Sequence, residues 1–308
     1  MKKITNYSIV FIFFVVLFTS CKKDEVIATN PSFEEFVKTN TNLSMFGLAV
    51  EKANLVDFIK GPGPFTWFAP TNAAFTQAGI TMDSLNRMTT ARISYFLTYH
   101  LVNTRYTGAN MLALSSITRS TQNGNLVYNG SFNNFFYVNG ARISSADNEI
   151  ANGIIHVTDR FLIPPVLNGN IISILNATGQ HSLFIEAITR AGLLTTLSST
   201  STFTVMAPTN TAMIAAGYTS AGIAATPVAT LLNQFRYHYF NAVRLFTNDL
   251  AADATTVATA AGPSTFLRTS EAGTRVRGAN NPSAILISRS DVLGTNGIVH
   301  VIDGVLRP

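Results

Sequence analysis

Five histidines and one cysteine supply the reactive side chains of this 308-residue chain: His100, His156, His181, His238, His300 and Cys21. Two histidines open His-x-x-Asp segments, His156 to Asp159 and His300 to Asp303. A histidine held by a carboxylate is the orienting half of a nucleophilic triad. Histidines converging with a carboxylate are also a zinc-ligand set, which here would need His100 and His156 to meet an acid. The spacing opposes the first chemistry. Both segments read as strands, and residues three apart on a strand point to opposite faces. The sequence contains no Gly-x-Ser-x-Gly elbow and no His-Glu-x-x-His helix. The reading is of hydrogen-bonded structural histidines at helix and strand ends, with no enzyme activity, cofactor or metal expected.

The elements that must position these residues come in two copies. Phe65-Thr-Trp-Phe-Ala-Pro-Thr-Asn-Ala-Ala-Phe75 returns as Phe203-Thr-Val-Met-Ala-Pro-Thr-Asn-Thr-Ala-Met213, 138 residues later. Tyr99-His100 returns at the same offset as Tyr237-His238. Asn152-Gly-Ile-Ile-His-Val-Thr-Asp159 returns as Asn296-Gly-Ile-Val-His-Val-Ile-Asp303, 144 residues later. Solenoid units of about 20–50 residues cannot bury a core alone. A unit of this length has the size of an independent domain, about 100–150 residues. The six extra residues of the second copy are expected in Ala251 to Gly262, whose small residues read as a loop.

Each copy reads as helices followed by antiparallel strands, an α+β order. Leu43 through Ile59 carries apolar residues at three- and four-residue steps and predicts a helix or helix pair, ended by Gly61-Pro-Gly-Pro64. Phe65 to Phe68 reads as a buried strand that stops at Pro70, and Thr71 or Asn72 caps the next helix. Ile93, Phe96, Leu97 and Leu101 predict a helix with Tyr99-His100 in its last turn. Hairpin turns are expected at Asn123-Gly124, Asn129-Gly130 and Asn139-Gly140. Strands are expected around Leu126–Tyr128, Phe135–Val138, Arg142–Ser145 and Gly153–Val157.

The first residues are not expected to belong to the fold. Lys2 and Lys3 precede an apolar run from Ile9 to Phe18, too short for a spanning helix of about 20 residues. This is the pattern of a secretory signal. Cys21, the sole cysteine, follows Leu17-Phe-Thr-Ser20, a stretch that resembles a bacterial lipobox, so Cys21 is the expected lipidation site. Lys22-Lys-Asp-Glu25 resembles a surface-export signal and reads equally as a charged tether. The expected organisation is a signal at 1–20, a tether at 21–31, and domains at 32–166 and 168–308. The formal net charge of +5 is too small to argue for nucleic acid. Arg268, Arg275 and Arg277 form one local basic group, readable as a solvated hairpin or as a contact for an acidic partner.

The motifs Phe-Thr-x-x-Ala-Pro-Thr-Asn, Tyr-His and Asn-Gly-Ile-x-His-Val-x-Asp, in order and twice, resemble the fasciclin (FAS1) domain. The resemblance covers nearly all of residues 32–308. It implies two tandem compact β-wedges flanked by helices, extracellular or surface-anchored, non-catalytic, and engaged in cell–cell, cell–matrix or protein–glycan contacts. It also offers Tyr99, His100, Tyr237 and His238 as interaction residues, since the Tyr-His region serves receptor adhesion in animal members. Against this stands their reading as a packed tyrosine and its neighbour. Asp83-Ser84-Leu85 resembles a bacterial O-glycosylation acceptor and reads equally as a helix cap. The expected function is a lipid-anchored adhesion or ligand-binding protein at a bacterial outer membrane, with a glycan, matrix or surface protein as partner. The alternative is an accessory subunit of an outer-membrane uptake or surface assembly. Specificity is expected where the copies differ: 251–262, Arg268 to Arg277, and Phe132 to Tyr137.

Overall fold

The computed structural model describes residues 30–112, 117–121, 126–132, 135–249, 254–269 and 273–308. Cys21, the signal, nearly all of the tether and Asn123-Gly124 lie outside the described residues. The chain forms two tandem α+β domains of one topology. In the first, β1 (Phe65–Pro70), β2 (Leu101–Val102), β3 (Ile117–Ser120), β4 (Leu126–Phe132), β5 (Phe135–Val138), β6 (Ala141–Ile150) and β7 (Gly153–Thr158) are ordered β2-β1-β7-β6-β5-β4-β3. In the second, β8 (Phe203–Pro208), β9 (Tyr239–Asn241), β10 (Ala254–Ala258), β11 (Pro263–Thr269), β12 (Gly273–Gly278), β13 (Ile285–Gly294) and β14 (Gly297–Ile302) repeat that order.

Four expectations need correction. The strands are not all antiparallel: β1 runs parallel to β7, and β8 to β14. The two paired motifs lie far apart in sequence, so the long route between them permits the parallel crossover. Asn129-Gly130 is no turn; it lies inside β4, opposite Val138 and Tyr137. Strand pairing overrides the local turn preference. The segment 251–262 is not all loop, because β10 occupies Ala254–Ala258 and pairs with β11. The first domain also gains an early helix, Phe33–Thr39, which Ser32 and Glu35 close with a capping box.

Other local readings hold. The helix Thr90–Tyr99 ends on the Tyr-His pair. Asn139 (φ 48°) and Gly140 (φ 75°) make the two-residue turn between β5 and β6. Thr71 and Thr209 cap the helices after β1 and β8 by accepting from Ala74 N and Ala212 N. The following asparagines do not cap. Asn72 reaches back to Thr41 O and Ser44 Oγ, and Asn210 to Gly179 O and Ser182 Oγ. Each thus ties its helix to the preceding helical layer.

Alternation along β1 divides the core in two. Phe65, Trp67 and Ala69 enter the helix-side cluster, where the Trp67 ring lies 5.2 Å from Phe33 and 5.9 Å from Phe46. Phe68 faces the other way, into a cluster with Tyr99, Tyr106, Met111 and Val138. Phe203, Val205 and Ala207 against Met206 repeat the division. The ten-residue strands β6 and β13 each carry two register shifts. Such bulges bend a strand. At the bends Asp147 (φ 54°) and Asp291 (φ 61°) adopt left-handed backbone. The domains meet where Arg160 Nη1 approaches Asp291 Oδ2 (3.3 Å), while Asn168 Nδ2 donating to Leu293 O (2.7 Å) and Thr295 N donating to Gly169 O (2.9 Å) hold the start of the second domain against its own β13–β14 turn.

Candidate functional site

The histidines resolve into two clamps per domain. Leu162 N donates to His100 Nε2 at 3.0 Å, so that nitrogen holds a lone pair. His100 Nδ1 therefore carries the proton and donates to Phe96 O at 2.8 Å. His238 repeats this with Leu306 N (3.0 Å) and Gln234 O (3.2 Å). Each ring fastens the end of a helix to the segment that leaves the closing strand. Burial of the ring pushes the pKa of both His100 and His238 down to about 4.

His156 and His300 use the other tautomer. Asp147 N donates to His156 Nδ1 and Asp291 N to His300 Nδ1, both at 3.2 Å. Their Nε2 protons go to Tyr106 O and Leu245 O, both at 2.8 Å. Both rings are buried, and desolvation holds them below the ordinary histidine range. The carboxylates at the bends complete the arrangement. Asp147 accepts from Gly108 N (2.9 Å), and Asp291 from Thr247 N and Thr247 Oγ1 (both 2.7 Å). Neither aspartate lies in the three repeated motifs, although the same 144-residue offset aligns Ser144-x-x-Asp147 with Ser288-x-x-Asp291.

His156 does not face Asp159. That carboxylate accepts Arg142 N at 2.7 Å and is pushed above the usual range by burial. Among the described residues no group of three His, Asp or Glu side chains could hold a metal ion. His181, which has no repeated partner, pairs its Nδ1 with Pro208 O at 2.9 Å.

The interaction residues expected from the Tyr-His resemblance need correction. Tyr99, His100, Tyr237 and His238 are at most 1% exposed, so they offer nothing for a partner to touch. The Tyr99 hydroxyl accepts Asn139 Nδ2 (2.9 Å), and the Tyr237 hydroxyl accepts Ala279 N (3.0 Å) while donating to Pro263 O. The tyrosines thereby fix the strands of the wedge. The arginine group also divides by register. Arg275 lies opposite Leu267 and Arg277 opposite Thr265, while Arg268 pairs with Thr274. Arg277 is exposed, whereas Arg275 is half-buried and donates to Ala284 O at 3.4 Å. The Ser84 hydroxyl completes a capping box with Thr81. No helix of the described residues is long and apolar enough to cross a membrane.

Polar side chains meet instead in the cleft between the domains, a cavity of about 650 Å³. Its lining includes Arg142, Arg160 and Arg289. None was singled out from the sequence, because none belongs to a repeated motif.

The fasciclin-domain family model matches residues 41–164 and 179–308. The transforming growth factor-beta-induced protein ig-h3 of Oryctolagus cuniculus is 32% identical over 257 residues, covering 81% of this chain and 35% of that protein. The chain therefore spans about a third of that relative's length. An uncharacterized protein of Synechocystis sp. is 36% identical over 136 residues, 43% of this chain and 98% of its own length. One domain thus corresponds to nearly a whole protein there. A solved FAS1 domain pair from the insect cell adhesion molecule fasciclin I aligns at TM-score 0.42 and 19% identity, covering 88% of this chain and 98% of that one.

Proposed function

From the premise that the chain belongs to the fasciclin family, we propose that it is a surface-held adhesion and ligand-binding protein without catalytic activity. Its partner is a glycan, a matrix component or a surface protein. Fasciclin domains are found in cell-adhesion and matrix-binding proteins and are generally non-enzymatic. One observation carries the reading. The repeated histidines, tyrosines and asparagines find their hydrogen-bond partners inside the protein, so the motifs build the scaffold and binding falls to the surface between and around the two modules. Two modules on one tether raise avidity when both reach the ligand.

Cys21 would supply that tether through a lipid at a bacterial outer membrane. Substituting Cys21→Ser is expected to abolish lipid labelling and release the protein from membranes. Undiminished membrane fractionation of the variant would remove the anchor. For binding, the protein is applied to glycan arrays and used in pull-downs from surface extracts, beside an adhesion assay on cells lacking the gene. No captured ligand together with unchanged adhesion would refute the reading.

A further inference from the structure

We propose that the cleft between the two domains binds an anionic saccharide, a sugar chain bearing carboxylates. This rests on the glycan-contact reading above and names its site. The cavity, about 650 Å³, lies within the range of small-ligand sites, roughly 300–1,000 Å³.

The duplication makes its arginines informative. At the 144-residue offset Arg142 aligns with Leu286, Arg160 with Gly304, and Arg289 with Ser145. No arginine of the set is repeated, and neither copy alone could assemble it. Domain packing brings the divergent positions to one place, two arginines from the first domain and one from the second.

Each guanidinium is presented differently. Arg160 is anchored through Nη1 on the buried Asp291 carboxylate at 3.3 Å. Arg142 has its guanidinium carbon 3.6 Å from the Phe135 ring centroid, a cation–π pose. Arg289 is exposed, with no side-chain hydrogen bond or ion pair among the described residues. Asp159 opposes them in the cleft, but it is half-buried and engaged by Arg142 N.

Gln77, Thr274 and Ser290 also line the cleft, and their side chains have no hydrogen-bond partner among the described residues. Planar guanidinium groups match carboxylates in a two-pronged geometry. Amide and hydroxyl side chains match sugar hydroxyls. A neutral sugar would leave Arg289 unpaired, and an acidic peptide would have less use for the hydroxyl-lined wall.

The test is isothermal titration of the full-length protein with tetragalacturonate, beside its uncharged counterpart galactotetraose. The acid is expected to bind and the neutral sugar not. Arg289→Ala and Arg142→Ala should each weaken binding about tenfold or more, the loss of a charge-assisted hydrogen bond. Arg190→Ala, outside the cleft, should leave it unchanged. Melting curves check that the variants fold, and Arg289→Gln replaces Arg289→Ala if it does not.

Absent binding of the acid, equal binding of both sugars, or full affinity in the arginine variants would overturn the proposal. So would hexaglutamate binding where tetragalacturonate does not. Capture of a glycan or surface protein equally by wild type and the double arginine variant would overturn the cleft and leave the adhesion reading standing. Capture of nothing by wild type, with adhesion unchanged on gene deletion, would overturn both.

Discussion

Acidification should loosen the first domain through His100, and the magnitude follows from its burial. The folded pKa is about 4, against an ordinary value of 6.5. Between those values the unfolded chain holds a proton that the folded chain rejects, so stability rises with pH in that window. The stabilisation is complete above pH 6.5, falls as pH drops, and levels off below about 4. At pH 5 an unfolded histidine is almost wholly protonated and the buried one about a tenth protonated, which amounts to about 2 kcal/mol. His156, also buried and lowered, adds to the loss in the same direction. For a domain of this size 2 kcal/mol is roughly 5–10 °C in Tm. The chain's one tryptophan, Trp67, is fully buried in the first domain, so its emission follows that domain alone. Urea titrations read at Trp67, at pH 7.5 and pH 5, give the decrement. His100→Gln should be less stable at pH 7.5 but lose about 2 kcal/mol less than wild type on going to pH 5. A decrement equal to wild type, or no decrement in wild type, would refute the neutral, buried assignment.

Three further outcomes follow from close contacts. A Cβ at Gly153 would stand 2.1 Å from Phe65 O, against the backbone of the parallel partner strand, so Gly153→Ala should cost several kcal/mol or prevent folding of the first domain, seen as early Trp67 exposure in urea. Asn296 accepts Ile171 N at 2.8 Å and donates to Leu197 O and Ser199 O at 2.9 and 2.8 Å, so Asn296→Ala should destabilise the second domain by about 3 kcal/mol in thermal unfolding. Asp291→Asn removes the charge that Arg160 and Thr247 share, and should separate the unfolding of the two domains in calorimetry; a single unchanged transition would show that the ion pair does not couple them.

Much of the architecture was legible because its signals are local. The short aromatic-rich apolar run from Phe65 to Phe68, the Thr71 cap and the Asn139-Gly140 turn each act within a few residues, and the duplication supplied a second reading of most of them. The misreadings share a cause. Asn129-Gly130 has turn chemistry, but pairing with β5 keeps it extended. Ala254–Ala258 lies among small residues, and its β-branched centre Thr255-Thr256-Val257 becomes a strand because β11 supplies the partner edge. In each case a long-range partner decides the conformation.

The sequence by itself determined that there are two like domains, their α+β order, and that four of the five histidines belong to the repeated scaffold. Repetition with spacing is a property of the chain and needs no coordinates. Only the tertiary structure decided that β1 lies parallel to β7, which nitrogen of each histidine holds its proton, and that the Tyr-His pairs are inaccessible. It also decided that Arg142, Arg160 and Arg289 share one cleft. Their sequence positions differ by up to 147 residues, and they belong to two separately folding units. No periodicity links such residues; they meet because Arg160 and Gly140 of one domain dock on Asp291 of the other.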